Sequence, residues 1–162
     1  MKSVCDTALK ELSAHNYSAL ELRRILEKKF ASLVDIDDQI ATTLARLCEL
    51  HLLNDAHVAE SLSNRYAHKG NRFITLTLRY KGIPDEIIEE TLAGLGLEKD
   101  RAIEVARKKI RSAGNEPPEV TEIKLVRFLS SRGFSADTLK QAIYYLKEEE
   151  LLSKDNPKEL LC

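Results

Sequence analysis

The chain has 162 residues, 43% of them hydrophobic, and its 25 basic and 26 acidic side chains leave a formal net charge of -1. The small numbers of Gly (6) and Pro (4), with abundant Leu, Ala, Glu and Lys, favour helices over the Gly-punctuated strands of a β-sandwich or barrel. No run approaches the roughly 18 apolar residues of a membrane span, and the N-terminus lacks an apolar signal core, so we expect an all-helical, cytoplasmic protein.

Three short helices are predicted in the first 54 residues, where apolar residues recur at helical spacing. The polar HNY stretch ends the first helix. Ser18 stands three residues before Glu21, the spacing at which a serine oxygen and a glutamate cap each other's free amides, and it predicts the start of the second helix. Asp35 is the candidate N-cap of the third helix, which the HLLND segment ends.

Six further helices are predicted from Asp55 onward, because the helical spacing of apolar residues starts again there. Gly ends several of these helices, and Pro or Ser begins the next one. The residues that separate them are Gly70, Gly82 with Pro84, Gly94 with Gly96, the GNEPPE segment, and Gly133 with Ser135.

Two turns show an internal repeat, since KGIPDEIIEETL (81–92) and RGFSADTLKQAI (132–143) share a basic residue, Gly, a large apolar residue and a helix start. Tetratricopeptide and ankyrin repeats fit poorly, because their periods of about 34 and 33 residues are shorter than the separation between Gly82 and Gly133 in the two turns. Helices this short must bury their apolar stripes against neighbours. We therefore predict an all-α fold of three tandem three-helix repeats in an elongated, curved array. The predicted repeats are 1–54, 55–97 and 98–150, followed by a C-terminal tail, 151–162.

Three segments carry a resemblance to a known family: SALELRRIL (18–26), LLNDAHVAESLSNRYAHKG (52–70) and KGIPDEIIEETL. In their order and near-spacing the chain resembles the RecX family of bacterial recombination regulators, over about residues 3 to 150. The resemblance implies tandem three-helix repeats that lie along the groove of the RecA recombinase filament on single-stranded DNA. It also implies restraint of ATP hydrolysis and strand exchange, and filament disassembly. The implied partners are the RecA filament and its single-stranded DNA, with free DNA as a further candidate, and no cofactor is implied.

Charge is segregated along the chain, because residues 61–84 carry five basic side chains and no acid, whereas residues 85–104 carry seven acids. Solvated helix faces explain most such runs. The alternative is that the two segments form a basic patch and an acidic patch. Together they would bind a groove that has both phosphate and protein walls. The candidate filament- or nucleic-acid-binding residues are Arg65, Lys69, Arg72, Arg79, Lys81, Arg107, Lys108, Arg111, Lys124, Arg127 and Arg132.

No catalytic or metal site is expected. The chain lacks a phosphate-binding loop of the Gly-x-x-x-x-Gly-Lys-Ser/Thr type, and its acidic pairs fall on helix surfaces. The histidines and cysteines lack the spacing of metal ligands, which predicts surface imidazoles and reduced thiols. These residues are His15, His51, His57, His68, Cys5, Cys48 and Cys162.

A stand-alone DNA-binding protein is the alternative function, with a helix-turn-helix at the Lys81-Gly82 or Arg132-Gly133 turn. The helix after Gly82 begins PDEIIEE, which phosphates would repel, so the second turn is the better candidate. A purely structural helical adaptor is a third possibility, although it leaves the charge segregation unexplained.

Overall fold

A computed structural model describes residues 3–149 and residue 152. Within this part of the chain the regular structure consists of nine α-helices, with no strand, which confirms the all-α prediction. The helices are α1 (Val4–Ala14), α2 (Ala19–Lys29), α3 (Ile36–Glu49), α4 (Asp55–Arg65), α5 (Asn71–Tyr80), α6 (Asp85–Gly94), α7 (Glu98–Ser112), α8 (Pro118–Ser131) and α9 (Ala136–Glu148). None of these helices is long and apolar enough to cross a membrane.

Side-chain caps set the starts of two helices as the sequence predicts. Ser18 Oγ accepts from the Glu21 amide at 3.2 Å, and Glu21 accepts in return from the Ser18 amide at 3.0 Å, which completes a capping box on α2. Ser135 caps α9 through its side chain alone, which accepts from the Thr138 amide at 3.2 Å. The prediction that Asp35 caps α3 is wrong: its backbone is left-handed (φ 58), whereas a capping side chain needs an extended backbone, and its carboxylate makes no cap bond.

The two repeated turns share one backbone geometry. Gly82 and Gly133 both have left-handed backbones, with φ of 75 and 85. The amides of Ile83 and Phe134, which follow them, donate to the carbonyl five residues earlier, and both side chains are buried. This is the Schellman arrangement that ends a helix, and it explains why the sequence repeats Gly followed by a large apolar residue.

The described residues group into two compact units. The first comprises the described residues up to 62 together with 77–91, and the second comprises 63–76 together with the described residues from 92 onward. The repeat boundaries at residues 54 and 97 stay a prediction. In the first unit, the core of α1, α2 and α3 is formed by Val4, Ala8, Leu22, Leu26, Ile36, Ile40, Leu44, Leu47 and Leu53.

The core of the second unit lies between α7, α8 and α9. Leu152 is 5% exposed and packs into this core, although the predicted tail begins at residue 151. The rest of that tail, 153–162, lies outside the described residues. The buried side chains of this core are Ala102, Ile103, Ala106, Leu125, Leu129, Phe134, Leu139, Ala142, Ile143, Leu146 and Leu152.

Candidate nucleic-acid interface

Five of the eleven predicted binding residues form ion pairs with acids. Two of them belong to the acid-free stretch 61–84, yet their partners come from other parts of the first unit. Such pairs neutralise the charge that a phosphate would otherwise meet. The pairs are Arg79–Asp85 (2.8 Å), Lys81–Glu21, Arg107–Glu149 (2.8 Å), Lys108–Glu104 (3.2 Å) and Lys124–Glu116.

Lys81 is held at the start of α2. Its ammonium pairs with Glu21, and its carbonyl accepts from the Ser18 hydroxyl. Burial opposes ionisation of Glu21, but hydrogen bonds from Lys81 and Ser18 outweigh it and lower the pKa of this carboxyl. Lys81 therefore serves the packing of the first unit, in addition to the binding role that the sequence suggested.

Replacing Glu21 by Gln is expected to destabilise the protein by about 1 kcal/mol at neutral pH, because the pair is partly exposed. The folded-state pKa of Glu21 lies below its unfolded value, so its contribution is present above the ordinary pKa and is lost as the pH falls through the lowered one. Urea unfolding of the wild-type protein and of Glu21→Gln, at about pH 7 and about pH 3, measures the stability difference at each pH. Glu60→Gln, at an exposed position of the same unit, is the control, and an equal loss at both pH values would contradict the assignment.

The other six predicted residues make no ion pair with the described part of the chain. Arg72 and Arg127 are exposed on α5 and α8, and the Arg111 guanidinium donates to the Arg107 carbonyl of its own helix. Three of the six, by contrast, lie around one turn contact within the second unit. These are Arg65, Lys69 and Arg132.

That contact joins the α4–α5 turn to the α8–α9 turn. The Gly70 amide donates to the Arg132 carbonyl at 2.9 Å, and a Cβ placed on Gly70 would lie 2.1 Å from the backbone of Gly133. Only glycine allows the two backbones to approach so closely. The contact brings Lys69 and Arg132 together, although they are far apart in sequence.

Aromatic rings alternate with the cations here. The Lys69 ammonium lies 5.0 Å from the Phe73 ring centre. The Phe128 ring receives both the Arg132 guanidinium, at 4.4 Å, and the Lys109 ammonium, at 5.0 Å. Such contacts hold a cation by the negative face of the ring without neutralising its charge. We call the set Arg65, His68, Lys69, Lys109 and Arg132 the basic cluster.

Arg101 and Glu98, on the first turn of α7, hold the turn that carries the cluster. The half-buried Arg101 guanidinium donates to the Ala67 carbonyl at 3.1 Å and to the Lys69 carbonyl at 2.7 Å, and also to the Asn71 side chain. Glu98 accepts from the Asn71 amide at 2.7 Å, where α5 begins. The sequence showed these two residues only as members of a charged stretch.

His68 lies inside the cluster. Its ring is 6.4 Å from that of Tyr66. Partial burial, then the charges of Arg132 and Lys69, lower the pKa of His68, against a hydrogen bond to the Arg65 backbone. The sequence indicated only a surface imidazole at this position, because Arg132 comes from a distant segment. Lys109 was likewise missed, although it lies in the basic run RKKIR.

The fold and these contacts place the protein among all-helical chains of tandem three-helix repeats, with a basic cluster that forms no ion pair within the described residues. Residues 98–143 match the family model described as RecX, third three-helix domain. The chain is 33% identical over 157 residues to regulatory protein RecX of Chlorobaculum tepidum, covering 94% of each chain. It is 34% identical over 154 residues to regulatory protein RecX of Herbaspirillum seropedicae, covering 93% of this chain and 92% of that protein.

The fold shows the same relationship. The crystal structure of RecX from Lactobacillus salivarius superposes with a TM-score of 0.71 at 28% identity, covering 89% of this chain and 94% of the other. The chain belongs to the RecX family of regulatory proteins.

Proposed function

We propose that this protein binds the RecA recombinase filament on single-stranded DNA, lies along its groove, and restrains ATP hydrolysis, strand exchange and filament growth. Membership of a family of regulatory proteins over nearly the whole chain supports this proposal. A location in the cytoplasm and action by binding, without a cofactor or catalysis, are parts of the same proposal.

The observation that carries the proposal is the basic cluster. Arg65, Lys69 and Arg132 have no acid partner among the described residues, and Lys69 and Arg132 each lie over an aromatic ring. Such groups attract a phosphate backbone and release its counterions, so binding should weaken steeply with salt. The ion-paired residues, such as Lys108 and Lys124, are weaker candidates, since a phosphate must first displace a carboxylate.

The helix-turn-helix alternative has less support at the Arg132-Gly133 turn. A recognition helix needs free polar side chains at its start. In α9 the Thr138 side chain is buried and its hydroxyl donates to Glu98 at 2.6 Å, while Ser135 caps the helix. These polar groups serve folding, which leaves the first turn of α9 with few side chains for reading bases.

The triple variant Arg65→Gln, Lys69→Gln, Arg132→Gln is expected to need at least about tenfold more protein to inhibit the ATPase of a preformed RecA filament, because it loses about three phosphate contacts. A plot of the logarithm of the binding constant against the logarithm of the salt concentration should also become less steep, by about two in slope. Wild-type protein should inhibit at substoichiometric amounts. The measurement is ATP hydrolysis by RecA on single-stranded DNA, titrated with each protein at two salt concentrations.

The matched control is the triple variant Arg79→Gln, Lys108→Gln, Lys124→Gln, which removes the same charge from ion-paired residues. Its potency should stay close to that of the wild type. Equal losses of inhibitory potency for the two variants would show that the basic cluster is not part of the interface. No effect of the wild-type protein on RecA, with binding to duplex DNA instead, would favour the stand-alone DNA-binding function.

A further inference from the structure

His68 is surrounded by cations on the sides that the described structure shows. Lys69 follows it in the α4–α5 turn, and the Gly70 amide donates to the Arg132 carbonyl at 2.9 Å, which brings the α8–α9 turn close. From α7, the Arg101 guanidinium contacts the carbonyl groups on either side of His68. The acid in this neighbourhood is Glu98.

Glu98 has no free oxygen to offer the imidazole. One oxygen accepts from the Asn71 amide at 2.7 Å, and the other accepts from the hydroxyls of Thr138, at 2.6 Å, and Ser135, at 3.2 Å. Its charge also faces Arg101. The exposed His68 imidazole therefore lies near two cations, Lys69 and Arg132, and no described carboxylate pairs with it. Such surroundings favour the binding of an external anion.

We propose that His68, Lys69 and Arg132 form a phosphate-binding site for a nucleic-acid strand, and that strand binding is coupled to protonation of the His68 ring. The nucleic-acid partner rests on the proposed function, whereas the proton coupling goes beyond it. The affinity for the strand then depends on pH near neutrality, which gives this regulator a response to acidification.

The sign of the coupling follows from the charges. In the free protein, burial and the two cations disfavour the imidazolium, so His68 is mostly neutral at pH 7. A bound phosphate places a negative charge beside the ring and favours the imidazolium, so strand binding takes up a proton. Each unit by which binding raises the pKa tightens binding by up to about tenfold at low pH.

A single strand suits the cluster better than an acidic protein surface does. The rings of Phe73 and Phe128 lie among the cations. Single-strand-binding surfaces combine a basic path for the backbone with aromatic side chains near the bases. The contact between the Gly70 amide and the Arg132 carbonyl brings the turns of Lys69 and Arg132 together, and both side chains can donate to phosphate oxygens.

The test uses the full-length protein and a fluorescein-labelled oligothymidylate, with anisotropy measured from about pH 8 to about pH 5.5 at constant ionic strength. Wild-type affinity should rise by about five- to tenfold as the pH falls. His68→Gln should lose most of this rise. His57→Gln, at an exposed position on α4, is the control and should retain it.

Proton NMR of the wild-type protein adds a measurement that needs no variant. Adding oligothymidylate should raise the titration midpoint of the His68 ring by about one pH unit, and an unchanged midpoint would overturn the proposal. A His68→Gln protein with the wild-type pH dependence would overturn it too. Equal, equally pH-dependent binding of poly-glutamate would reassign the site to carboxylates. RecA inhibition, assayed separately at pH 7.5, tests the proposed function by itself.

Discussion

Replacing Gly70 by Ala is expected to destabilise the second unit by about 3 kcal/mol and to lower the Tm by about 10 °C. The new Cβ would lie 2.1 Å from the carbonyl group of Gly133 and 2.2 Å from the amide of Phe134. These are backbone atoms that cannot rotate away, so the two turns must separate. Thermal unfolding followed by circular dichroism measures the change.

The control is Gly94→Ala at the end of α6. Its Cβ would meet nothing within 4 Å, so we expect a change within about 0.5 kcal/mol of zero or a slight stabilisation. Because Gly70 joins the turns that carry Lys69 and Arg132, Gly70→Ala should also weaken oligonucleotide binding. Near-wild-type stability of Gly70→Ala would show that the close approach of the turns is not required.

Replacing Arg101 by Met is expected to destabilise the protein by about 2 to 3 kcal/mol, since it removes three hydrogen bonds from a half-buried charged group. Met keeps much of the apolar stem, so the loss reports the guanidinium. The Ala67 and Lys69 carbonyls of the α4–α5 turn would lose their hydrogen-bond donor, so residues 67 to 69 would become less ordered. Equilibrium unfolding in urea gives the magnitude.

A second substitution at position 101 and a control on α8 separate charge from geometry. Arg101→Lys keeps the charge but has no planar fork, so it should recover less than half of the lost stability. Arg127→Met removes a charge from an exposed position on α8 and should change stability by less than about 0.5 kcal/mol. Full recovery by Lys would mean that the positive charge alone, and not the three directed bonds, stabilises the turn.

The stability of the turn and the function of the cluster are linked through these residues. Arg101 and Glu98 make hydrogen bonds within the second unit, whereas the half-buried Lys69 and Arg132 form no ion pair with the described residues. A net charge of -1 thus conceals a local surface on which several cations form no ion pair with the part of the chain that the structure describes. Local arrangement, not the total charge, decides whether a polyanion is attracted.

Features that depend on near neighbours along the chain could be predicted from the order of the amino acids. The Ser18–Glu21 capping box, the helix ends at Gly82 and Gly133, and the start of α9 at Ser135 were all predicted, because each joins groups at most five residues apart. The family resemblance was readable for the same reason, since its motifs are these helix starts and turns. Asp35 shows the limit, as its backbone angle depends on the packing of the loop before α3.

The charges that are available to a ligand could not be predicted in this way, because they depend on contacts between distant segments. Lys81 and Glu21 are 60 positions apart, and no local pattern shows that one neutralises the other. Gly70 was read as a helix end, but its close approach to Gly133 exists only when two distant turns meet. The pairing of a charged side chain depends on contacts between remote segments, and these become fixed only when the helices bury their apolar faces together.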